Sequence, residues 1–149
     1  MGKINVGRVV LGGLLAGVVL NIGEYILNEP ILGQEWKAAM ERLNVSPPEG
    51  NVIAWYVVMG FILGIAIVWL YAAIRPRYGA GPKTAIIAGL AAWFFVWLWG
   101  PVSLSVTGLF PAKPVMVTII WGFFEAPIAA LAGAWLYREE EHVAEPAAQ

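Results

Sequence analysis

The chain has 149 residues, 60% of them apolar and 13% charged, with a mean hydropathy of +0.72 and a net charge of −1. Soluble domains carry about 45–50% apolar residues, so the composition points to lipid, and the near-zero charge gives a nucleic acid no electrostatic foothold. Cysteine and aspartate are absent and the single histidine, His142, lies in the C-terminal tail, which excludes thiol chemistry, a bis-His haem, a His triad and Asp-based Mg²⁺ sites.

The first apolar run covers about 6–27 and is interrupted only by Asn21 and Glu24. Its length suits a hydrocarbon core of about 30 Å. Lys3 and Arg8 precede it as in a secretory signal, but no small-x-small cleavage site follows, so it reads as a retained span. A polar interlude, 28–50, comes next. Within it, at about 31–44, Leu32, Trp36, Ala39, Met40 and Leu43 recur at helical spacing, with Gln34, Glu35, Lys37, Glu41 and Arg42 between them. Such a helix either lies in the membrane interface on its Trp36 face or caps the bundle as a lid.

The second span covers about 51–74 and the third about 84–106, joined by a tight turn around Gly79-Ala-Gly-Pro82. Gly100-Pro101 interrupts the third. A short linker leads to the fourth span, about 115–137, and a polar tail, 138–149, whose acidic composition suits disorder. The expectation is one domain, an all-α membrane protein: a four-transmembrane-helix bundle with a short amphipathic interfacial helix between spans one and two. Lys3, Arg8, Arg75, Arg77, Lys83 and Arg138 fall on one side of the spans, and Lys37, Arg42 and Lys113 on the other. By the positive-inside rule both termini are cytoplasmic, and a multi-pass protein of a bacterial inner membrane is expected.

A faint repeat links the two hairpins. Gly60-Phe61 and Trp69-Leu-Tyr71 of span two match Gly122-Phe123 and Trp135-Leu-Tyr137 of span four, and Gly13-Leu-x-Ala16 matches Gly89-Leu-x-Ala92. Two hairpins of the same orientation would make a parallel repeat.

Small residues form stripes: Gly13 and Gly17 in span one, Gly60 and Gly64 in span two, and Gly122, Ala129 and Gly133 in span four. They let helix backbones approach closely in lipid. They could hold the four helices together, form a homodimer, or dock a larger membrane partner.

Glu125 stands near the middle of span four, ~15 Å from its outer end at 1.5 Å per residue. An acid at that depth costs a few kcal/mol unless something offsets it. Asn21 and Glu24 lie ~9 and ~5 Å below the outer end of span one on the same reckoning. Pro127 and Pro101 are expected to break their helices near the level of Glu125, each leaving a carbonyl free. Trp97 and Trp121 fall at a similar depth, where aromatic rings beside a carboxylate can bind organic cations. In outline, by size, four spans and a lone deep glutamate, the chain resembles the small multidrug-resistance transporters. Their functional acid stands in the first span, however, and the deepest acid here is in the fourth.

Two functions follow. One is binding or transport of a proton, cation or small lipophilic molecule in an outward-facing pocket formed by Glu125, Glu24, Asn21, Trp121 and Trp97. The other is a structural or accessory subunit in which Glu125 is a buried hydrogen-bonding lock. No cofactor or metal is expected, and no enzymatic activity. Glu24 and Glu125 differ by ~10 Å in depth on the helical-rise estimate, too far to work as one acid–base pair.

Overall fold

Four helices long and apolar enough to cross a bilayer make up the computed structural model, which describes residues 3–139. The first span is α1 (Val6–Ile26), prolonged by a π-helical turn, Leu27–Ile31. A short helix, α2 (Gly33–Arg42), precedes the second span, α3 (Asn51–Tyr78). The third span comprises α4 (Pro82–Trp93), a π-helical stretch (Phe94–Trp99) and α5 (Gly100–Val106). The fourth is α6 (Ala112–Leu136). The tail from residue 140 onward, and His142 with it, lies outside the described residues.

Three of the differences from the sequence reading involve prolines. Span one stays helical through Pro30 to Ile31, α3 runs through Pro76 to Tyr78, and α6 runs unbroken through Pro127. A break expected at Pro127 is therefore absent. Proline removes one backbone hydrogen bond and needs room for its ring, and here Gly89 of α4 lies directly against the Pro127 backbone. At Pro101 the expected interruption has a counterpart, because the π-helical stretch ends there and α5 begins with Pro101 in its first turn.

The core is glycine against backbone. A Cβ on Gly64 would meet the Gly13 carbonyl and the Gly17 nitrogen, and one on Gly13 would meet the Ile65 backbone, so α1 and α3 touch along their small-residue stripes. Likewise Gly133 of α6 packs on Gly12 and Ala16 of α1. With no hydrophobic drive between helices in lipid, this close approach supplies the packing. Large apolar side chains such as Trp69, Phe95 and Trp135 point outward, where lipid solvates them.

The repeat seen in the sequence recurs in the contacts. Gly13 packs on Ile65 as Gly89 packs on Pro127, and Asn21 occupies the space beside Gly60 as Trp97 does beside Gly122. Tyr71 Oη accepts a hydrogen bond from the Gly81 N–H at 3.2 Å, and Tyr137 Oη accepts one from the Asn5 N–H at 3.4 Å. The second span of each hairpin thus caps the start of the other hairpin. The two tyrosine rings meet edge to face, with centroids 5.8 Å apart.

At the opposite end, α2 sits as a lid. Leu32 and Ala39 are buried, Trp36 packs edge-on against Phe110 at 5.6 Å, and Lys113 Nζ donates to Glu35 Oε1 at 3.1 Å. That bond holds the Glu35 carboxyl below the ordinary carboxylate range. A depressed folded value favours the docked form above the ordinary glutamate pKa, an advantage lost as pH falls through the folded value. Spin labels on a Lys37→Cys, Leu109→Cys pair are therefore expected to show a narrow distance distribution near neutrality. It should broaden in acid. A distribution unchanged at low pH would mean that Trp36 packing alone holds the lid.

Candidate functional site

Two antiparallel helices set the level of the site. Gly12 of α1 lies against Gly133 of α6, and eleven residues further along α1 the Gly23 backbone lies against the Glu125 carboxyl. Gly23 has no side chain, so the carboxyl can lie flat on α1. Glu125 is only 6% exposed, and neither of its oxygens has a hydrogen-bond partner. Buried polar atoms in native folds are nearly always paired. Both oxygens of Glu125 depart from that pattern.

Glu24, the residue after Gly23, is close enough to act on the Glu125 charge. The ~10 Å separation in depth expected from the sequence is thus corrected. Depth counted from the helix ends misleads because those ends are not level: span one runs to Ile31 and α6 begins at Ala112, and it is the register of Gly23 on the Glu125 carboxyl that brings the neighbouring Glu24 close. Unlike Glu125, Glu24 is fully held. Its Oε1 accepts from the Trp97 indole Nε1 at 2.9 Å, and its Oε2 from Asn28 Nδ2 at 2.8 Å. Trp97 is 4% exposed, its ring seated where Gly122 leaves space beside α6. Trp121 also neighbours Glu125, but its own Nε1 has no partner in good geometry.

Asn21 is not brought to the pair. Its Nδ2 donates to the Gly17 carbonyl at 2.8 Å and the Val57 carbonyl at 3.2 Å, turning it toward α3. Sequence reasoning missed Gly23 and Asn28. Asn28 stands four residues after Glu24, the spacing of side-chain neighbours on a helix, but it was assigned to the polar interlude rather than to the span.

A groove of about 520 Å³ runs between α1 and α6, with Glu125 and Gly23 at its floor and Ile22, Trp121, Phe124 and Ile128 along its sides. Ile22 and Phe124 are exposed, so the groove opens sideways, onto the surface that faces lipid. An opening toward the outer face was expected, but Leu27 and Leu32 are fully buried at that end. A smaller groove of about 310 Å³, lined by Leu63, Ala66 and Phe95 among others, lies between α3 and α4. In the repeat alignment Leu63 takes the place of Glu125, and Phe95 that of Val19. The second groove is the apolar counterpart of the first.

Comparison of the chain with protein-family models, with curated proteins and with solved structures gives no match.

Proposed function

We propose that this membrane protein binds lipophilic cations, such as hydrophobic amines, which enter from the bilayer into the α1–α6 groove and exchange there with a proton on the acid pair. The observation that carries this reading is the Glu125 carboxyl, buried without a partner at the floor of an apolar groove. Lys and Arg are confined to the ends of the spans, so no internal cation balances the two carboxyls. A proton or a bound cation must do so. Trp121 and Phe124 offer the aromatic faces that organic cations favour.

A structural lock is less well supported, because a lock needs its polar atoms bonded and those of Glu125 are not. The glycine stripes, which an accessory subunit would use for docking, face inward between the chain's own helices. The proposed role is binding and exchange rather than catalysis. The six-to-three distribution of Lys and Arg supports placing both termini in the cytoplasm.

Binding of tetraphenylphosphonium and of a long-chain alkylamine to the protein in nanodiscs tests the reading. Glu125→Gln is expected to weaken both by about tenfold or more, the scale of losing a charge-assisted contact. Wild-type affinity should rise with pH, since protons compete for the same carboxyl. Equal affinity in wild type and Glu125→Gln would overturn the proposal.

A further inference from the structure

The smaller groove, between α3 and α4, is lined by hydrocarbon throughout, with Leu63, Ala66, Ile67 and Leu70 on α3 and Ala92 and Phe95 on the facing span. Ala66 and Phe95 are exposed, so it too opens on the surface that faces lipid. α3 stays helical through Pro76 to Tyr78, and its faces can be followed to the turn. At 100° per residue the four α3 groove residues fall within an arc of about 100°, and Arg77 lies inside the same arc. Leu70 and Ile67 are about 10 and 15 Å from Arg77 along the axis. That is within the ~15 Å depth of one bilayer leaflet.

Lys83 stands across the turn from Arg77, in the first turn of α4, and both residues are exposed. Arg75 is engaged elsewhere: its guanidinium sits over the Tyr137 ring and pairs with Glu139 at 3.4 Å. Among the described residues Arg77 and Lys83 enter no ion pair. No Asp or Glu occurs between Asn51 and Phe124, so the hairpin carries cations without an acid of its own. Two cations at the open end of an apolar groove have the polarity that an anionic phospholipid matches, with phosphate at the rim and chain within.

We propose that the α3–α4 groove binds a phospholipid of net negative headgroup charge, one acyl chain lying along Leu70 and Ile67 and the phosphate held by Arg77 and Lys83. The site is independent of the cation-binding reading of the α1–α6 groove. Each basic side chain near a membrane surface favours an anionic lipid by about fivefold, and the arginine fork matches phosphate oxygens. The acyl chain fills the space that Ala66 and Ala92 leave open. A carboxyl in the floor would oppose such a guest. Where the other groove has Glu125, this one has Leu63.

The test is native mass spectrometry of the detergent-solubilised protein, titrated with phosphatidylglycerol or with phosphatidylcholine of the same chains. Wild type is expected to hold phosphatidylglycerol about tenfold more tightly. The double variant Arg77→Gln, Lys83→Gln should abolish that preference. Lys37→Gln with Arg42→Gln, on α2 at the opposite end of the bundle, should keep it. Ala66→Phe fills the groove from its exposed rim and should weaken phosphatidylglycerol about fivefold by displacing the chain, with helical content unchanged by circular dichroism. Should that variant lose helical content, Ala92→Leu fills the same groove from α4 and carries the same expectation. Equal retention of the two lipids by wild type overturns the site, as does a preference that survives in Arg77→Gln, Lys83→Gln. A preference lost equally in the α2 control would reflect general surface charge and overturns it too. If a folded groove-filling variant retains phosphatidylglycerol as wild type does, the charges bind headgroups without the chain, and the site is again overturned.

Discussion

Replacing Gly64 by valine is expected to cost the bundle about 3 kcal/mol, at the upper end of what overpacking a close-packed interior usually costs. The atoms in the way are the Gly13 carbonyl and the Gly17 nitrogen, both main chain. A flexible side chain could swing aside, but two helix backbones in contact can only separate. Separation here would also release the α1–α3 contact on which Asn21 and the neighbouring glycines depend. Helix propensity would not compensate, since glycine lies only about 1 kcal/mol below the best helix formers. Gly100→Ala is the matched control: Gly100 has helical dihedrals and nothing near its would-be Cβ, so a gain of about 0.5–1 kcal/mol is expected. Unfolding in mixed dodecylmaltoside and SDS micelles reads both. Equal stability of Gly64→Val and wild type would mean that α1 and α3 are not in backbone contact.

Gly23→Ala should do the reverse, sparing the fold and removing the proposed cation binding. Its added methyl would overlap the Glu125 carboxyl, the far end of a side chain free to change rotamer. Stability should therefore stay within about 1 kcal/mol of wild type, with helix propensity offsetting part of the lost fit. The carboxyl, however, would be driven off α1 and out of the groove floor. Affinity for tetraphenylphosphonium is expected to fall about tenfold or more, like the loss from Glu125→Gln, because the same charge-assisted contact is removed. Retained affinity would show that the ligand does not depend on where Gly23 lets the carboxyl lie.

The two glycines also show how far the sequence could be read. Hydropathy and length gave four spans, since both follow from the thickness of the bilayer. The Gly60-x-x-x-Gly64 spacing pointed to close packing because the motif works through the backbone and needs no knowledge of register. Depth alone places Trp97 and Trp121 near the acids, and in the fold Trp97 bonds Glu24 while Trp121 neighbours Glu125. Helix ends were harder to read. Pro30 and Pro76 resemble breakers, yet both are carried within helices, and depths counted from helix ends that are not level separated Glu24 from Glu125 on paper. The role of Gly23 depends on which residue faces it across α1 and α6. That is a property of register, which no local pattern encodes. Asn21 failed for a related reason: its depth was right, but its direction is set by a hydrogen bond to Val57 on another helix.

The repeated contacts have a mechanical consequence. Both grooves separate the same two hairpins, one on each flank, and the tyrosine caps tie the hairpins together at a single end. A tilt of one hairpin about that tethered end widens one crevice as it narrows the other. On the proposed binding reading, a guest in the acidic crevice would squeeze lipid from the greasy one. The bilayer would then act as a counterweight, and thickness or chain order in the surrounding membrane would set how firmly such a guest is held.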